Sequence, residues 1–103
     1  MIGKAGVPAG SLSLGGLEVD SEGYRASFAG RMLALSRSQV ELLAILIANR
    51  HRVISRVELS RALGLVRPRS VDVLLTGLRR ELGRQFVRNV RNRGWIVEPG
   101  SLG

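Results

Sequence analysis

A chain of 103 residues has room for one domain with a core of its own and little surplus. Sixteen Lys and Arg against eight Asp and Glu give a formal net charge of +8, which points to a polyanionic partner, and the lack of cysteine excludes disulfides and thiolate chemistry. One histidine and singly scattered carboxylates supply neither a nucleophile with its base nor a metal cage, so the reading is of a binding domain without cofactor, not an enzyme.

No run approaches the roughly 18 apolar residues of a membrane span, and the start, MIGKAGVPAG, has no apolar stretch of a signal peptide, so the expectation is a cytoplasmic domain. The charge is lopsided. Residues 1–30 hold Glu18, Asp20 and Glu22 against Lys4 and Arg25, whereas residues 31–103 hold fourteen arginines against five carboxylates. Arginine cannot lose its proton, and its planar fork fits phosphate and guanine edges in pairs of hydrogen bonds.

In chain order, residues 1–10 carry no period and read as a flexible tail or linker, ahead of one domain over residues 11–98 and a frayed end at 99–103. Leu12 and Leu14, Leu17 and Val19, Tyr24 with Ala26 and Phe28, and Met32 with Ala34 alternate, separated by glycine-bearing turns. That pattern predicts an antiparallel meander of up to four strands, apolar on one face and needing a helical cover. A first helix follows over 36–49, opened by a Ser36–Gln39 capping box and so apolar all round that it must be central.

Val53 and Ile54 predict a single short strand. Ser55 and Glu58 form a second capping box opening a helix over 56–63, with Val57, Leu59 and Leu63 inward and Gly64 as its stop. The third helix, within Arg67–Gly83, takes Pro68 at its first position and buries Val71, Leu75, Leu78 and Leu82. Its opposite face carries Arg69, Val73, Thr76 and Arg80. Gly77, inside this helix, costs roughly 1 kcal/mol relative to alanine, which is offset if it lets a nucleic-acid backbone come close. Two runs, Phe86–Val90 and Trp95–Val97, flank an Asn- and Gly-bearing tip with Arg91 and Arg93, and predict a hairpin. Trp95 reads as core packing against the third helix, and His51 as a loop residue. Two helices joined by a short turn, the second basic outward, make a helix-turn-helix outline.

Several words in this order resemble the DNA-binding domain of OmpR/PhoB-type response regulators, from about Leu12 to Val97. They are Leu35-Ser36 with Leu42-Leu43; Val53-Ile54-Ser55-Arg56 with Leu59; Arg69-Ser70-Val71-Asp72-Val73 with Leu78-Arg79-Arg80-Glu81-Leu82; and Val90-Arg91 with Gly94-Trp95. The resemblance implies an α+β fold, a winged helix-turn-helix with an N-terminal four-stranded antiparallel sheet, three helices and a C-terminal β-hairpin wing. It implies sequence-specific binding of double-stranded DNA in transcription regulation, as a dimer on repeated half-sites. Arg69, Val73, Thr76 and Arg80 would face bases, Arg56 and Asn89 phosphates, Arg79 a phosphate or a carboxylate of its own chain, and Arg91 and Arg93 an adjacent minor groove. RNA polymerase is a further implied partner, although the turn Gly64–Arg67 is shorter than the family loop that touches it. So is an N-terminal receiver or other domain. The competing expectation is a winged-helix regulatory module whose arginines contact acidic proteins instead of DNA.

Overall fold

The computed structural model describes Pro8 and residues 10–97, so the expected frayed end at 99–103 and most of the expected tail lie outside it. Of that tail, Pro8 and Gly10 offer their carbonyls to the hydroxyl of the buried Ser21. Four strands follow, β1 (Ser11–Leu14), β2 (Leu17–Asp20), β3 (Arg25–Phe28) and β4 (Arg31–Met32), in an antiparallel sheet of that order. The register pairs Leu12 with Val19, Leu14 with Leu17, Val19 with Ala26 and Leu17 with Phe28. Cross-strand partners share a face, so these pairs form one apolar side.

Two expected alternations shift. Tyr24 is not in a strand: it sits at φ +55° in a turn that the Asp20 carboxylate builds by accepting from the backbone N–H of Glu22 and Gly23. Met32 pairs with Ser27 on the outer face and is 62% exposed, while Leu33, just past the strand, turns into the core in its place.

Helix α1 (Arg37–Ala48) opens on the full Ser36–Gln39 capping box and buries every residue from Val40 to Ile47, Glu41 included. It packs on β1–β3 with one side and on the later helices with others, the central position that its sequence demands. Helix α2 (Arg56–Leu63) has only half of its expected box. The Ser55 hydroxyl accepts from the Glu58 N–H at 3.1 Å, but the Glu58 carboxylate turns away to Arg52, 2.7 Å distant. Its core side is Leu59, Ser60 and Leu63. Val57, about 200° round the cylinder from Leu59, is 49% exposed and not inward as the pattern suggested. Gly64 closes the helix in the left-handed conformation at φ +69°.

Helix α3 spans Ser70–Leu82. Pro68 lies ahead of it, not at its first position: three tight bonds, Ser70 to Arg67, Val71 to Pro68 and Asp72 to Arg69, wind the entry, and no side chain caps it. Val71, Leu75 and Leu78 are buried and Leu82 is half-buried against the core. Strands β5 (Val87–Val90) and β6 (Gly94–Val97) make the terminal hairpin, whose tip uses Asn92 at φ +63°. The expected strand at Val53–Ile54 reduces to one bridge, in which Ile54 and Trp95 exchange backbone hydrogen bonds of 2.8 and 2.9 Å. That bridge lashes the hairpin to the entrance of α2.

Candidate nucleic-acid interface

With its leucine side in the core, α3 leaves Arg69, Val73, Thr76 and Arg80 exposed along one side, and Val73 is 72% accessible. The Thr76 hydroxyl donates back to the Asp72 carbonyl at 3.0 Å, so its proton is used and its methyl is the group left for an outside contact. Gly77 is not bare toward solvent. A Cβ there would come within 1.8 Å of the Gln39 side-chain amide, so the missing side chain makes room for the α1 capping box.

Around the start of α2 the structure gathers four of the expected residues. A cleft of ≈ 420 Å³ between that helix start and the hairpin tip is lined by Arg56, Val57, Asn89, Arg91 and Arg93 among others, and no carboxylate lines it. Arg56 grips Asp72 through Nε and Nη2 at 3.2–3.3 Å and lies 5.2 Å from the centre of the buried Trp95 ring. These contacts tie the first turn of α3, the start of α2 and the hairpin into one body. Trp95 is buried in the core, paired with Asn89 across the hairpin, bridged to Ile54 and facing Arg56. Asn89 donates to the Gly94 carbonyl at 3.3 Å, across the hairpin, while Arg91 and Arg93 stand exposed at its tip.

A second cleft, ≈ 280 Å³, lies at the other end of α3 and is lined by Thr76, Arg79, Arg80 and Arg84. Arg79 is partly spent, since its Nη2 donates to the Val87 carbonyl at 3.0 Å. Arg84 belongs to this group and was missed by the sequence reading. It lies past the glycine that ends the helix, where helical periodicity no longer assigns a face.

Electrostatically, the carboxylates beside these clefts are engaged. Asp72 is paired with Arg56. Glu58 is held below the ordinary carboxylate range by the hydrogen bonds and charge of Arg52, whose own pKa is raised in return. Among the described residues no group of His, Cys, Asp and Glu could hold a metal ion, and no helix is long and apolar enough to cross a membrane.

An N-terminal four-stranded sheet, three helices and a hairpin bonded back to the segment that enters the second helix define a winged helix-turn-helix, basic along the outer side of its third helix and at its wing. The family described as "Transcriptional regulatory protein, C terminal" matches residues 30–97, and the chain belongs to it. It is a transcription regulatory domain and not an enzyme, and the expected OmpR/PhoB-type resemblance is met. The response regulator protein PmrA of Pseudomonas aeruginosa is 31% identical over 88 residues, covering 82% of this chain and 40% of that protein. The chain thus spans under half the length of that relative. The DNA-binding domain of CpxR from E. coli superposes with a TM-score of 0.76 at 27% identity, over 87% of this chain and 97% of that one. The DNA-binding domain of Klebsiella pneumoniae RstA, solved in complex with RstA box, gives 0.76 at 28% identity, over 86% and 97%.

Proposed function

We propose that this domain binds double-stranded DNA sequence-specifically in transcription regulation, with α3 in the major groove and the hairpin wing in the adjacent minor groove. The observation that carries the reading is the exposed row Arg69, Val73, Thr76 and Arg80, joined through the Arg56–Asp72 pair to a cleft rimmed by Arg91 and Arg93. A groove about 12 Å wide admits one helix, and such a row meets base edges: the arginines guanine, Val73 and the Thr76 methyl the methyl group of thymine. Arg56 and Asn89, on the cleft between α2 and the wing, meet the phosphates between the two grooves.

Family membership supports three further proposals: binding as a dimer on repeated half-sites, RNA polymerase as a partner, and a receiver or other domain in the parent protein. Since duplex DNA is the ligand, the place of action is the bacterial cytoplasm. Selection of bound fragments from random duplex DNA tests the central reading. A single enriched site, bound in a salt-dependent manner, is expected, and Arg80→Ala should lose roughly 1–3 kcal/mol on it and relax preference at one position. Equal binding to all sequences would leave only the electrostatic part, and no binding to duplex at all would end the proposal.

A further inference from the structure

Arg84 follows the C-cap glycine of α3, yet lines the same cleft as Thr76, Arg79 and Arg80. The field at the C-terminus of a helix favours cations, which accounts for Arg79 and Arg80 in the last turn. It does not account for a third arginine beyond the helix on the same rim. Three guanidinium groups around one opening repel each other, and no carboxylate lines this cleft to relieve them. Arg80 and Arg84 are exposed and neither side chain is paired among the described residues. Arg79 differs, for it is half-buried and its guanidinium is bonded to the carbonyl of Val87 in the first wing strand.

Length then says what this rim meets. Thirteen residues of helix extend about 20 Å at 1.5 Å per residue, against a groove about 12 Å wide. Laid across the groove, a helix whose exposed row from Val73 to Arg80, about 10 Å of rise, sits over bases carries the residue past its C-cap to the edge, where the sugar–phosphate backbone runs.

We infer that Arg84 binds a backbone phosphodiester at the rim of the major groove, beside the base-facing Arg80. Arg79 is a positioning residue of another kind, for it fastens the recognition helix to the wing. The inference rests on the DNA-binding reading above and departs from the sequence expectation for Arg79, which has it grip a phosphate or a carboxylate of its own chain.

The test is a set of binding titrations across salt concentration, using a duplex recovered by selection and an unrelated duplex of the same length. For Arg84→Ala both affinities should fall by the same factor, up to roughly tenfold at 0.1 M salt, and the slope of log K against log salt should become shallower by about one. Arg79→Lys, which keeps one donor for the Val87 carbonyl, should leave the slope unchanged. Arg79→Met should also leave the slope unchanged while relaxing preference only at the base pairs flanking the helix-read site, under the wing. An unchanged slope in Arg84→Ala, or an altered base preference there, overturns the phosphate role. A slope reduced by about one in Arg79→Met overturns the positioning role. Replacing chloride by inorganic phosphate at constant ionic strength should affect wild type and Arg84→Ala alike, and a wild type weakened more than the variant would mark a free-anion site instead of a backbone contact. A wild type without salt-dependent duplex binding overturns the function proposed above together with this inference, whereas wild-type binding with these variant results reversed overturns the inference alone.

Discussion

A methyl group at residue 94 would lie 2.0 Å from the carbonyl oxygen of Ile54, and that same oxygen accepts the hydrogen bond from Trp95 that attaches the wing. Backbone against backbone cannot yield cheaply, and the φ of +143° is itself strained for a residue with a Cβ. Gly94→Ala should therefore cost about 2–4 kcal/mol in urea denaturation. A loss below 0.5 kcal/mol would mean that the bridge is dispensable. Gly77 is the opposite case, because the atom in its way ends a flexible side chain. Alanine there gains roughly 1 kcal/mol of helix propensity but must displace the Gln39 amide from the cap it makes with Ser36. The gain should appear in full only in a Gln39→Ala background. Equal stabilisation in both backgrounds, read by thermal unfolding, would show that the two residues are not coupled.

At the level of elements, the loop before α2 is held by charge. Arg52 reaches the Glu58 carboxylate with two nitrogens, at 2.7 and 3.3 Å, and Asn49 with one of them at 3.1 Å. Glu58 is lowered in the folded state, so the stability it contributes is fully present above the unfolded value of about 4.3 and is lost as pH falls through the lower folded value. Glu58→Gln should flatten this part of the acid limb in a series of denaturation midpoints, and an unaltered limb would remove the pair from the account. Both side chains are about half exposed, so the whole contribution, complete at neutral pH, is small.

The elements themselves were legible because their signals are local: a Ser–x–x–Gln box, glycine stops and a strict apolar stripe. What stayed hidden were choices between two local partners. Glu58 had a backbone N–H and Arg52 within reach and took the arginine; Tyr24 was drawn from its strand by the Asp20 turn and lies with its hydroxyl 2.8 Å from Arg37. Within the candidate site, periodicity placed Arg69, Val73, Thr76 and Arg80 correctly on one exposed side. It could not foresee that Arg79 bends to a strand carbonyl, or that Arg84 rejoins the same rim beyond the helix.

On the scale of the molecule, the acidic residues of the N-terminal third lie on or beside the sheet, while the second and third helices, the hairpin and the loop between α3 and the hairpin carry the arginines that line both clefts. In the proposed mode duplex DNA would be met from one direction, with the wing as a separate electrostatic unit. Replacing Arg91 and Arg93 together by alanine should reduce the salt slope by up to about two and erase any preference for A·T-rich flanks, whose narrow minor groove attracts arginine. Preference at the positions read by α3 should persist. Loss of both preferences in the double variant, measured on duplexes that differ only in the flanks, would contradict separate reading by helix and wing.

The bridge between Ile54 and Trp95 joins residues 41 apart in the chain, and the Val97 carbonyl accepts from the N–H of His51, 46 residues upstream. Pairing over such spans must wait for chain yet to be made. On the ribosome the meander and the first helix can condense early, but the entrance to the second helix has no β partner until residues 95–97 have emerged. A nascent chain halted before Trp95 should accordingly present Ile54 and its apolar surroundings to chaperones, and protection of that region from proteolysis should arrive in one step as the last strand is added.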